Sequence, residues 1–260
     1  MHTFTLLFLG TCACDFSPKL QTEFKDSFDF DARRSSSALL NGKFLIDCGY
    51  HCLDSLRIAG VDAGQITDVL ITHLHKDHFL VSNVERLAKG RKTPLRLWVR
   101  SDAELPHIEN VEVRKMDKKQ TYDLGEGMTV KGLLANHDET VSPQHFVFEK
   151  NGKRFFYGCD GAWFLHETYY ALRNTDLSLM VLDCTCGDYE GDYRMGEHNT
   201  IPMLRAMLPS LKTWGVIGEN TKTYVSHLAP SLHKPHAETV KIMKELDVKV
   251  AYDGLSVEIE

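Results

Sequence analysis

The residues best equipped for chemistry crowd into one short stretch, Thr72-His73-Leu74-His75-Lys76-Asp77-His78, where four potential metal ligands fall within six positions. Imidazole and carboxylate suit zinc, and equally iron or manganese. The stretch follows the apolar run Asp68-Val69-Leu70. If that run is a strand, alternation sends His73 and His75 to the same side at its end. Asp77 and His78 then fall in the turn beyond, placed to serve a second position nearby. The bland alternative is a solvated turn that happens to be rich in histidine. So many ligand types at one strand-to-loop junction fit that alternative poorly.

This order, His-x-His-x-Asp-His at a strand end, resembles the signature of the metallo-β-lactamase superfamily. The resemblance implies three further ligands in the order His, Asp, His. His137 in Ala135-Asn136-His137-Asp138, Asp160 in Gly158-Cys159-Asp160-Gly161 and His227 in Val225-Ser226-His227-Leu228 stand in that order, each beyond a β-like run. By the same resemblance, His73, His75 and His137 hold one divalent ion, and Asp77, His78 and His227 hold the other. Asp160 bridges the two. Zinc or manganese is expected, with iron as a further option. Such a pair lowers the pKa of a shared water, so that a metal-bridging hydroxide is the nucleophile, oriented by Asp77. Asp47, in Ile46-Asp47-Cys48-Gly49, matches a position that supports the metal loop from behind. Its other reading is a simple turn residue before glycine.

Further marks resemble the phosphodiesterase branch, which includes the carbon–phosphorus lyase accessory phosphodiesterase and, more distantly, the tRNA 3′-end processing endonuclease. They are Arg33-Arg34-Ser35-Ser36-Ser37, Gln144-His145-Phe146, Val181-Leu182-Asp183-Cys184, Glu197-His198-Asn199-Thr200 and Ala251-Tyr252-Asp253-Gly254. In that branch a histidine placed like His198 contacts the scissile phosphate, where it can stabilise the transition state or protonate the leaving oxygen. The local alternative is that His198 caps a helix starting near Asn199 or Thr200. Some members carry an extra structural zinc on an N-terminal cysteine cluster. Here only Cys12 and Cys14 are near the start, with His233 or His236 as a late partner, short of the four ligands a closed site needs. Asp160 stands where some β-lactamases use a cysteine ligand, which argues against antibiotic hydrolysis.

The resemblance therefore implies a hydrolase of a small or cyclic phosphodiester. The runner-up is thioester hydrolysis of the glyoxalase II type, which shares the ligand set. Diiron reductases of the same fold need an electron-carrier domain, and persulfide dioxygenases lack the second-metal ligands. A purely structural metal role would not need an open position. Family resemblance also points to a homodimer.

The elements that must position these residues follow from patterning. Runs at 4–9, 37–40, 43–46, 69–72, 95–99, 129–134, 145–149, 154–157, 179–182 and 222–226 read as strands. Asn41-Gly42 and Asn151-Gly152 are hairpin turn signals. Helical periodicity covers 81–88, 163–173, 201–207 and 237–246. Hairpin groups followed by helices predict a four-layer αββα sandwich, two mixed sheets face to face with helices outside. No linker divides residues 1–260, so one domain is expected. The polar segment 15–34 reads as a long functional loop, and 188–197 as a wall of the substrate pocket. Trp163, Phe164, Tyr189 and Tyr193 either stack a nucleobase or simply pack.

Composition bounds the rest. A formal net charge of -6 argues against tRNA or another large nucleic acid as substrate, and no long exosite arm is apparent. No apolar run is long enough for a membrane span, the N-terminus lacks a secretory pattern, and seven cysteines in largely apolar settings fit a reducing cytoplasm.

Overall fold

A computed structural model of the chain describes residues 3–189 and 191–260; Glu190, within the expected pocket wall, lies outside the described residues. The elements run β1 (Phe4–Gly10), β2 (Ser37–Leu40), β3 (Phe44–Ile46), α1 (Cys52–Ile58), β4 (Asp68–Leu70), α2 (Val81–Ala88), β5 (Leu95–Arg100), β6 (Val111–Met116), β7 (Thr121–Gly125) and β8 (Met128–Leu134). There follow β9 (Gln144–Lys150), β10 (Lys153–Gly158), α3 (His166–Leu172), β11 (Leu177–Asp183), α4 (Ile201–Thr213), β12 (Ile217–Ser226), α5 (His236–Lys244), β13 (Lys249–Val250) and β14 (Ser256–Ile259).

Two seven-stranded sheets result, ordered β14-β1-β2-β3-β4-β5-β6 and β13-β12-β11-β10-β9-β8-β7. Each has an antiparallel half and a parallel half. Asn41-Gly42 opens the three-residue β2–β3 turn and Asn151-Gly152 forms the two-residue β9–β10 turn, and all four residues have the positive φ that such turns favour.

Strand alternation makes the layers. Phe155 and Tyr157 face the other sheet and join Phe4, Phe8, Leu40, Phe146 and Phe148 in a core between the sheets. Phe156, Met180 and Leu182 point the other way and pack under Leu204, Met207 and Leu211 of α4 and Met243 of α5. On the first sheet Leu45, Val69 and Leu97 pack under Leu56 of α1 and Val84 and Leu87 of α2. The architecture is the four-layer αββα sandwich expected from patterning.

Two local expectations need correction. The strand before the histidine loop ends at Leu70, so His73 and His75 lie beyond it and are not placed by strand alternation. The third helix starts at His166, leaving Trp163 and Phe164 in the preceding loop. The segment 15–34 is a long loop as expected, with one 3-10 turn at Pro18–Gln21, and it is stapled at its end. The Arg33 Nη1 donates to Thr11 Oγ1 (2.6 Å) and Ala251 O (2.7 Å), and Arg34 N donates to Asp253 Oδ2 (2.7 Å). Among the described residues, no helix is long and apolar enough to cross a membrane.

Candidate metal centre

The site lies just beyond the C-terminal ends of strands from both sheets, where parallel sheets commonly place ligands. Asp47 follows β3, the histidine loop follows β4, His137 follows β8, Asp160 follows β10, Asp183 ends β11 and His227 follows β12.

Asp47, fully buried, organises the first loop. Its Oδ1 accepts from Thr72 N (2.8 Å), its Oδ2 accepts from Thr72 Oγ1 (2.9 Å), and Oδ2 lies 2.7 Å from His78 Nδ1. That contact leaves His78 Nε2 turned inward. The backbone closes behind it: Cys48 N donates to His78 O (2.7 Å), and Asn83 Nδ2 donates to Gly49 O (2.6 Å). A Cβ on Gly49 would sit 1.7 Å from Asp77 O, so only glycine lets the two loops meet.

The predicted ligands converge in two groups. His73 Nε2 and His137 Nε2 lie 3.0 and 3.2 Å from His75 Nδ1. Beside them His78 Nε2 is 3.4 Å from Asp77 Oδ2 and 3.2 Å from His227 Nε2. Asp160 spans the groups, with Oδ2 3.5 Å from His73 Nε2 and 3.2 Å from His78 Nε2, and Oδ1 3.1 Å from His227 Nε2. Within each of the sets His73-His75-His137 and Asp77-His78-His227, the donor atoms lie within 4.8 Å of one another.

Asp183 is the supporting residue that sequence reasoning quoted but gave no role. Its Oδ1 accepts from Thr185 N (3.0 Å) and Asn199 N (2.9 Å). Its Oδ2 lies 2.9 Å from His198 Nδ1 and 3.1 Å from His227 Nδ1. The sequence signal was available, because Leu182-Asp183-Cys184 repeats the strand-end pattern of Ile46-Asp47-Cys48. His198 is therefore drawn to the cluster, its ring stacked on that of His227 with centroids 5.4 Å apart. It does not cap α4. That cap is Thr200, whose Oγ1 accepts from Met203 N (3.1 Å).

The electrostatics suit cations. Burial drives the His73 imidazole well below its usual pKa, and burial likewise lowers His137, so both stand as neutral donors. Burial also opposes charge on His78 and His227, but Asp160, Asp77 and the supporting aspartates outweigh it. His78 is held well above its usual range and His227 is pushed up to about 10. The carboxylates of Asp77 and Asp160, which burial alone would raise, are held well below theirs by the same imidazoles. The cluster thus draws positive charge into its centre. Asp160 Oδ1 and His137 Nδ1 are buried and make no well-aligned hydrogen bond, Oδ1 meeting only the His227 ring at 3.1 Å. Neutral imidazoles at His73 and His137, converging ring nitrogens and a buried carboxylate lying between the two groups fit divalent ions.

Other predicted positions fall outside the cluster. His233 Nε2 donates to Cys184 O (2.6 Å), and His236 Nδ1 meets Arg33 Nη2 (2.9 Å), so neither joins Cys12 or Cys14. Phe164 is buried against Phe156 and His145, whereas Trp163, Tyr189 and Tyr193 are exposed.

The family described as the beta-lactamase superfamily domain matches residues 43–252. Ribonuclease Z of Mycolicibacterium gilvum (strain PYR-GCK) is 30% identical over 125 residues, a stretch covering 44% of this chain and 39% of that protein. Among solved structures, the metallo-beta-lactamase fold protein YhfI from Bacillus subtilis superposes with a TM-score of 0.75 at 15% identity, over 99% of this chain and 100% of that one. Human tRNase Z, short form, gives 0.69 at 18% identity over 98% and 99% of the two chains. A diphosphatase from the PhnP family gives 0.70 at 20% identity over 99% and 98%. On the family match and the geometry of its His/Asp cluster, the chain belongs to the metallo-β-lactamase superfamily of metal-dependent hydrolases.

Proposed function

We propose that this protein is a dinuclear metal-dependent phosphodiesterase acting on a small or cyclic phosphodiester, with zinc or manganese as the working ions. His73, His75 and His137 would hold one ion and Asp77, His78 and His227 the other, with the Asp160 carboxylate available to either group. Bound there, divalent ions supply Lewis acidity, lowering the pKa of water and neutralising charge that develops on phosphoryl oxygens. Asp77 accepts a hydrogen bond from the attacking water and sets its direction. Asp183 fixes the His198 ring by Nδ1, leaving Nε2 to carry a proton to the departing oxygen.

The observation that carries this reading is the position of His198, anchored by the same buried carboxylate as His227 and stacked on its ring. A leaving alkoxide needs such a proton donor. A leaving thiolate has a pKa near or below 9 and needs it far less. The rim favours a small substrate over a long polyanion. Glu197 Oε2 lies 3.9 Å from His137 Nδ1, and Asp138 Oδ2 lies 4.0 Å from His75 Nε2, in a chain of net charge -6.

The test is hydrolysis of bis-p-nitrophenyl phosphate beside a thioester, with protein loaded with manganese or zinc and Asp77→Ala as control. Metal-dependent phosphodiester turnover that vanishes in the variant is expected. Brisk thioester cleavage without phosphodiester turnover would instead establish the glyoxalase II-like activity.

A further inference from the structure

At the opposite end of the first sheet from the metal centre, a groove of about 1000 Å³ opens between the far ends of α1 and α2 and the turns that lead into β4 and β5. Its floor is apolar, formed in part by Leu53, Leu56, Val61 and Leu87. Its polar wall is of one sign. Arg57, Arg86, Lys89, Arg91 and Lys92 line it, and no carboxylate does, although the whole chain carries a net charge of -6.

The basic residues differ in how they are held. The Arg91 guanidinium is locked by carbonyl oxygens, Nε donating to Leu87 O (2.5 Å) and Nη1 to Ile66 O (2.6 Å), so its charge is fixed in place without a carboxylate partner. Arg57 pairs with Asp26 at 2.8 Å. The nearby Asp62 accepts from Gly64 N at 2.9 Å. Among the described residues, Arg86, Lys89 and Lys92 have no ion-pair partner. Three free cations beside a fixed one, above an apolar floor, raise the local concentration of anions and favour those that also carry an apolar body.

From this we infer that the groove is a second ligand site, separate from the metal centre, for a phosphorylated anion with an apolar body of the nucleoside diphosphate class. The phosphates lie against Arg86, Lys89 and Lys92, and the base and ribose cover the leucine floor. The site does not depend on what the metal centre hydrolyses. The helices that line it begin at the metal loops: α1 starts shortly after Gly49 and α2 shortly after Phe79. A ligand bridging their far ends is thus connected to the centre through two packed helices.

The experiment is isothermal titration of the metal-loaded full chain with the non-hydrolysable α,β-methylene analogue of ADP, and with inorganic pyrophosphate alone. The double variant Arg86→Glu, Lys92→Glu and the metal-site variant Asp77→Ala are titrated in parallel. Saturable analogue binding, tighter than that of pyrophosphate, is expected. It weakens about tenfold or more in the double variant and survives in Asp77→Ala. Both substituted groove residues are exposed, so the double variant keeps its thermal midpoint and its basal phosphodiester turnover, which separates lost binding from lost folding. No saturation through the millimolar range would overturn the inference. So would binding that the double variant retains and Asp77→Ala loses, because that pattern assigns the anion to the metal centre. Equal affinity for pyrophosphate and the analogue would remove the apolar floor from the recognition.

Discussion

Asp47 and Asp183 are two buried carboxylates that do related work from opposite sheets. Each stands at the C-terminal end of a strand, each accepts from a threonine backbone N–H and hydroxyl, and each orients an imidazole of the metal cluster. They differ in load. Asp47 holds one histidine and the loop that carries it, and burial leaves its carboxyl raised. Burial would raise Asp183 too, but His198 and His227 together outweigh it and hold the carboxyl well below its usual range. One anchor serves the proposed metal loop alone. The other ties a proposed metal ligand and the proposed proton donor to a single side chain, so the two proposed roles are positioned together in the second sheet.

That difference orders the expected effects. Asp183→Asn should be the most damaging change at either anchor, because it loosens two groups at once. Activity on a diester with an alkyl leaving group should fall by roughly 10³-fold or more, against the ~10–100-fold typical of one lost supporting contact and expected for Asp47→Asn. Equal losses in the two variants would show that His198 gains nothing from Asp183. His198→Ala should lower kcat by roughly 10²–10⁴-fold on a diester with an alkyl leaving group and much less on bis-p-nitrophenyl phosphate, whose leaving group needs no proton. Metal content should stay at the wild-type value. A matching loss of bound metal would make His198 a ligand instead.

The steric contact on the Asp47 side gives the next effect. Gly49→Ala places a Cβ against Asp77 O, and should lower stability by about 3 kcal/mol and reduce metal occupancy, both measurable by thermal melts with and without added ion. An unchanged melt would mean that the loops separate at no cost.

Smallest is a pH effect in the second half. Burial lowers the pKa of His145 and His233 to about 4, well below the value of about 6.5 expected in the unfolded chain. The unfolded state therefore takes up these protons first. The stability they allow is complete above about 6.5 and is lost as pH falls towards about 4. His233→Gln should flatten that part of the stability curve when denaturant midpoints are followed from neutral to acid pH. An unchanged slope would mean that the ring is protonated in the fold.

Much of this was legible in the chain because the information is local. The ligands sit at strand ends, where apolar runs give way to His and Asp, and each such junction can be recognised singly. The central strands and four of the helices carry periodicities that burial enforces. What escaped notice were β6, β7, β13 and β14, which are the outermost strands of the two sheets. An edge strand has one neighbour and need not bury both faces. Four of the six residues of β6, Val111-Glu112-Val113-Arg114-Lys115-Met116, are exposed, and β13 is only two residues long. α1 is seven residues long, and His51 before it makes no capping bond, so its start carries no sequence signal. The reach of Asp183 to two histidines was also hidden, because it depends on β11 and β12 pairing in parallel, with Asp183 beside Ser226.

Two ions, one in each of the paired groups of donors, are what the proposed activity most directly requires. The deciding measurement is metal content by elemental mass spectrometry after equilibration with zinc and removal of free ion, for wild type and for His75→Ala and Asp77→Ala. Two equivalents per chain are predicted for wild type and close to one for each variant, with phosphodiester turnover tracking the second equivalent. A single equivalent in wild type, or full activity at one, would contradict it.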